Sequence, residues 1–146
     1  MIYLDPSLIF SLYGADCNTT AAVSLIRNAN EPLVLTSFCE LETLNAFSLR
    51  VFRKELSEIE ARRLRHDFQS DLDTGVYQLR ALPTGVFTRA KALAQKITPS
   101  VGVRAADLLH IAAALELGAK SLYTFDPRQH TGAQTAGLAV NLLPRP

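Results

Sequence analysis

Short apolar runs alternate with longer helical patterns along the whole chain, and this alternation restricts its fold more than any other feature. Ile2-Tyr3-Leu4 stops at Asp5-Pro6, where proline removes a backbone donor and fixes φ. Leu33-Val34-Leu35 lies between Glu31-Pro32 and Thr36-Ser37. Residues 76–82 alternate in part and begin with Val76 and Tyr77, types that suit a pleated strand. Residues 121–124 stop at Phe125-Asp126-Pro127, and residues 138–142 form the last run.

The segments between them have helical spacing. Residues 18–30 open on Asn18-Thr19-Thr20, good capping types, and carry Ala22, Val23 and Ile26 on one face. Residues 37–54 repeat apolar side chains at Leu41, Leu44, Phe47 and Val51. Ser57 and Glu60 form a capping-box pattern ahead of Ile59, Leu64, Phe68 and Leu72, and Gly75 ends that helix. A further helix starts at Pro83-Thr84 and is expected to stop at Pro99. RAADLLHIAAALEL, residues 104–117, is apolar almost all round and ends at Gly118, and a short helix over 128–136 ends at Gly137. Five short strands alternating with helices predict an α/β fold, a mainly parallel five-stranded sheet flanked by helices in three layers. With 146 residues and no linker, repeat or low-complexity tract, a single domain over 1–146 is expected.

Composition removes several classes of function. Hydrophobic residues make up 48% and charged residues 20%, which excludes a disordered chain. The net charge of +1 identifies no partner, so a nucleic-acid surface has to come from local clustering. Cys17 and Cys39 form neither a CxxC pair nor a zinc-ligand pattern, and a reduced cytoplasmic protein is expected. No basic stretch precedes an apolar one near Met1, against a secretory signal, and no apolar run approaches the ~20 residues of a membrane span.

Acids stand at the places where an α/β sheet binds ligands, beyond the carboxyl ends of its strands. Asp5 and Asp126 each follow a short strand and precede a proline, so each also reads as an ordinary helix N-cap. Asp107 lies in the first turn of the apolar helix, where a carboxylate is costly unless it is paired or binds a metal. Arg104, one turn earlier, is the simple alternative partner. Glu40 and Glu42 face different sides of their helix, and the pattern does not choose between them. His110, on so apolar a helix, reads as a packing residue and stays outside the expected site. Cys39 has no His partner nearby, which argues against a thiol nucleophile.

Four stretches together resemble the PIN domain, and within it the VapC-type toxin ribonucleases of bacterial toxin–antitoxin pairs. They are MIYLDPS at 1–7, ELETLNAFSLRVFR at 40–53, RAADLLHIAAALELGA at 104–119 and SLYTFDPRQ at 121–129. Their order and spacing cover nearly the whole chain. The resemblance assigns catalytic and metal-binding roles to Asp5, Glu42, Asp107 and Asp126, and it selects Glu42 over Glu40 through Asn45-Ala46. Ser7 and Thr124 match small polar residues near the first and last acids. Pro6 departs from the family's usual Thr, Ala or Ser, and Asp126 matches the least constant of the four acids.

The resemblance implies a Mg²⁺-dependent endoribonuclease, with Mn²⁺ as the alternative ion. Four convergent carboxylates repel one another, and a hard divalent cation relieves that repulsion. Asp5 and Asp107 would be the principal ligands, Glu42 a ligand or water-orienting base, and Asp126 a ligand to a second ion. It further implies an RNA substrate, products with 5′-phosphate and 3′-hydroxyl ends, a cognate antitoxin and a homodimer. Arg50, Arg53, Lys54, Arg62, Arg63 and Arg65 cluster around one turn, diluted by Glu55, Glu58 and Glu60. A solvated helical hairpin is the first reading of that cluster. Arg104 and Arg128 are the other candidate phosphate contacts, or ion-pair partners of the acids. Two rivals stand beside this reading. A haloacid-dehalogenase-like phosphatase needs an Asp two residues after its first, where this chain has Ser7. A catalytically inactive PIN-like module would only bind RNA or a protein.

Overall fold

Strand β1 (Ile2–Leu4) is buried along its whole length and lies at the centre of the sheet. The computed structural model describes residues 1–143. After β1 come α1 (Pro6–Tyr13), α2 (Thr19–Arg27), β2 (Leu33–Thr36), α3 (Ser37–Phe52), α4 (Glu58–Asp73) and β3 (Gln78–Arg80). Then follow α5 (Val86–Val101), α6 (Ala105–Glu116), β4 (Ser121–Tyr123), α7 (Pro127–Thr135) and β5 (Ala139–Val140). The sheet order is β3-β2-β1-β4-β5, and every neighbouring pair is parallel. The three-layer α/β expectation therefore holds, with a sheet that is wholly parallel among the described residues.

Successive residues of a strand face opposite sides, and β1 uses this to seed two cores. Tyr3 packs with Ile111, Ala112, Leu122 and Ala133 under α5, α6 and α7. Ile2 and Leu4 pack with Leu8, Ile9, Phe47 and Phe68 under α1, α3 and α4. The apolar α6 is explained by this burial, since Leu108, Ile111, Ala112, Ala113 and Ala114 all face protein. No helix among the described residues is long and apolar enough to cross a membrane.

Three local expectations need correction. Pro99 does not stop its helix: α5 runs two residues further, because a proline in the last turn forfeits a single backbone bond. Gly102, at φ +69°, ends it instead, its N–H bonding Thr98 O at 2.8 Å. The strand expected over 76–82 is reduced to three exposed edge residues, with Tyr77 just before them buried in the core. The segment after Asp5-Pro6, absent from the alternation, is the eight-residue helix α1.

Candidate functional site

Chain topology reverses direction at β1: β2 and β3 lie to one side and β4 and β5 to the other. Such a switch point opens a crevice at the carboxyl ends of the strands. Pairing of Tyr3 with Val34 and of Leu4 with Tyr123 brings Asp5, Thr36 and Thr124 level at that edge. An open crevice of about 300 Å³ lies there, and Asp5, Glu42, Asp107 and Asp126 all line it. Asn45, His110 and Gln129 share its walls, and Glu40 does not.

Asp5 is only 3% exposed and caps α1. Its Oδ2 accepts from Ser7 N at 3.0 Å, from Thr124 Oγ1 at 2.9 Å and from the Ser7 hydroxyl. Ser7 Oγ in turn accepts from Phe125 N at 2.9 Å, and Thr124 Oγ1 from Asp126 N at 3.0 Å. The two hydroxyls thus lock the end of β1 to the loop after β4. Three donors converge on one carboxylate oxygen, and Oδ1 accepts none among the described residues.

Glu42, on α3, reaches across to α6, where its Oε2 lies 2.5 Å from His110 Nε2. The imidazole is fully buried, and Phe38, one turn before Glu42, stacks on it at 4.8 Å between ring centroids. Its Nδ1 lies 2.8 Å from Tyr3 Oη, which lies 2.9 Å from Thr36 Oγ1. Burial holds the Tyr3 phenol well above its ordinary pKa, so it is an O–H group at neutral pH.

Asp107 and Asp126 are held by backbone donors. Asp107 Oδ2 accepts from Arg104 N at 3.3 Å, and no ion pair joins these two side chains among the described residues. Asp126 Oδ1 caps α7, accepting from Arg128 N at 2.8 Å and Gln129 N at 2.9 Å. Burial, then the charges of Asp126 and Asp5, raises the Asp107 carboxyl above the usual Asp range, while the Arg104 N–H and His110 oppose that shift. The acids therefore sense one another across the crevice.

Among the described residues no three His, Cys, Asp or Glu side chains stand close enough to enclose an ion. That excludes a closed protein cage of the zinc type, but it suits Mg²⁺, which keeps several waters and takes one or two carboxylates plus substrate oxygens. An all-oxygen acid set has the right hardness for that ion. Gln129 is buried behind Asp126, its side-chain amide 3.2 Å from Thr124 Oγ1.

The basic cluster is largely internal bookkeeping of charge. Arg50 pairs with Glu55, bonds Gly14 O at 3.1 Å and lies over the Phe10 ring. Arg65 pairs with Glu58. Arg53, Lys54 and Arg62 remain exposed. His110 is the residue that sequence reasoning left out of the site. Its place beside Asp107 on α6 was the available signal, and the partner that brings it into the crevice is 68 residues away.

The PIN domain model matches residues 2–133. No curated protein matches the chain significantly in sequence. Solved structures do match in fold. VapC20 of Mycobacterium tuberculosis, described as a Sarcin-Ricin loop cleaving toxin, superposes with a TM-score of 0.69 at 16% identity, covering 100% of both chains. FitAcB from Neisseria gonorrhoeae gives 0.66 at 16% identity over 97% of both chains. VapBC2 from Rickettsia felis, bound to a DNA fragment from their promoter, gives 0.62 at 16% identity over 97% of this chain and 98% of that one.

Proposed function

The chain belongs to the PIN-domain family, and from that premise we propose that it is a metal-dependent endoribonuclease, the toxin of a toxin–antitoxin pair. The observation that carries this reading is the meeting of four carboxylates from four distant segments on one crevice at the switch point. Nothing in the packing of the core calls for them there. The toxin assignment draws on the motif resemblance and on the shared fold with a toxin described as cleaving the Sarcin-Ricin loop.

Asp5, Glu42, Asp107 and Asp126 are the residues that would hold Mg²⁺ or Mn²⁺. When bound, the ion would lower the pKa of an attacking water and neutralise charge on the phosphate. The chain's own groups do the rest. Asp5 and Glu42 are each held at one oxygen by internal donors, which leaves the other oxygen for the crevice. Asp107, whose proton affinity is raised, is suited to orient a water. Exposed Arg53, Lys54 and Arg62 could attract the RNA backbone, which would make binding fall steeply with added salt. An antitoxin covering the acids and a homodimeric toxin complete the proposal.

A PIN-like module that binds without cleaving remains the rival reading, since among the described residues no three-ligand cluster is ready-made. Cleavage of structured RNA with and without Mg²⁺ separates the two, using wild type beside Asp107→Asn. The nuclease reading expects cleavage only with the ion, and a loss exceeding the ~10–100-fold range of outer-shell changes in the variant. Equal cleavage by both proteins, or none by wild type with either Mg²⁺ or Mn²⁺, overturns it.

A further inference from the structure

Glu42 is the one acid of the four whose anchor is a buried imidazole, and that imidazole ends a line of hydrogen bonds through the α5–α6 face of the sheet. Cys39 N–H donates to Thr36 Oγ1 at 3.4 Å, because a backbone amide has no other choice. Thr36 then has a single proton left, and Tyr3 Oη, 2.9 Å away, is the acceptor within reach. Tyr3 likewise has one proton, and His110 Nδ1, 2.8 Å away, can accept it. The remaining imidazole proton falls on Nε2, opposite Glu42 Oε2. In this direction every proton has one acceptor. In the reverse direction a bare Nε2 faces a carboxylate, lone pair against charge, and the Thr36 proton has no partner among the described residues.

We propose that Thr36, Tyr3 and His110 form a directional relay that turns the His110 Nε2–H toward Glu42 and so positions Glu42 in the crevice. The proposal rests on the nuclease reading for its consequence, not for its geometry. His110 and Tyr3 are positioning residues: neither is a ligand or a group that touches substrate. Position on the fold explains the need. Glu42 stands on α3, a helix that packs on the opposite face of the sheet from α6, and a half-exposed glutamate has three rotatable bonds to restrain. Burial of the ring and the Phe38 stack leave the imidazole no freedom to turn. The relay therefore transmits the rigidity of β1 to the one acid not seated at a strand end or a helix start. An outer partner of this kind commonly sets the orientation of the group it holds.

Two measurements test this. In ¹⁵N-labelled wild type without added metal, the ring nitrogen shifts of His110 should report protonated Nε2 and bare Nδ1. Tyr3→Phe removes only the oxygen, and it should shift the Nδ1 resonance, which loses its donor, while Glu42 still holds the proton on Nε2. A wild-type proton on Nδ1 alone, or on both nitrogens, overturns the assignment whether or not the protein cleaves RNA. The second measurement is kinetic, at saturating Mg²⁺. Tyr3→Phe should lower kcat by roughly tenfold with KM for RNA little changed. His110→Gln, which keeps a donor near Glu42, should retain more kcat than His110→Ala. Wild-type kcat in Tyr3→Phe and in both His110 variants overturns the positioning role. Should His110→Ala fail to fold, Tyr3→Phe and His110→Gln decide it. A wild type that shows the expected tautomer but cleaves nothing fails the nuclease reading and with it the positioning role, while the relay's proton order stands.

Discussion

Asp5 and Glu42 differ from Asp107 and Asp126 in how far along the chain their anchors lie. Asp5 takes local donors from Ser7, but both it and Glu42 also depend on side chains remote in sequence: Thr124 lies 119 residues from Asp5 and His110 lies 68 from Glu42. The second pair is held by backbone N–H groups two or three residues away, at the starts of α6 and α7. Any helix start offers such donors, so Asp107 and Asp126 need little besides their helices. Asp5 and Glu42 need particular hydroxyls and a particular imidazole. The pair with remote anchors should therefore be sensitive at positions that are not acids, and the pair with local anchors should not.

The largest effect expected from that contrast is at Thr124→Val. The substitution keeps the volume and removes the hydroxyl that donates to Asp5 and accepts from Asp126 N. A buried group left without its partner costs about 1–3 kcal/mol, so chemical denaturation should show a loss in that range. Cleavage should fall roughly tenfold, as for other outer partners of a site. A variant with wild-type stability and turnover would erase the distinction between the two pairs.

Asp126 sharpens the same contrast with a smaller effect. Asp126→Asn keeps a good N-cap and removes the charge, whereas Asp126→Ala removes both and should cost about 1 kcal/mol in denaturant titrations. Equal loss of cleavage in the two variants would mark the carboxylate as functional. If cleavage falls in the Ala variant alone, Asp126 serves only as a cap.

The smallest effect is in the pH dependence of stability. The Asp107 carboxyl is raised chiefly by burial, with Asp126 adding to it, so the folded chain holds this proton more tightly than the unfolded one. Stability from this group is then present at acid pH and declines as pH rises from the unfolded value near ~3.9 through the higher folded one. Thermal unfolding of Asp107→Asn across that window should show the variant gaining on wild type as pH increases. A difference that is flat with pH would place Asp107 in an environment no different from solvent.

The same local and remote divide explains what could be read from residues alone. The Ser57–Glu60 capping box and the glycines ending α6 and α7 are short-range features, and each appears where the pattern put it. The parallel pairing of the strands followed from the alternation because parallel neighbours require crossover helices, whereas the strand order did not. Only the Asp5-Pro6 start of helix α1 was legible, because PSLIFSLY shows no clear periodicity: it buries Leu8, Ile9 and Ser11 and leaves few polar positions to mark a solvent face. Glu42 could not be separated from Glu40 by pattern, since the distinguishing contact is made with His110 on another helix. His110 itself looked like packing because its neighbours are apolar, and it is indeed buried. What the pattern lacked was its two partners, 68 and 107 residues away.

The place of β4 beside β1 has a consequence for the protein's synthesis. A nascent chain translated only through α6 already contains Asp5, Glu42 and Asp107, yet β1 still has a bare edge and Asp5 lacks its Thr124 donor. The last acid and the hydroxyl that seats the first one arrive together, on the segment that closes the sheet. A crevice whose acids arrive in this order cannot be complete while the ribosome is still making the strand that finishes it.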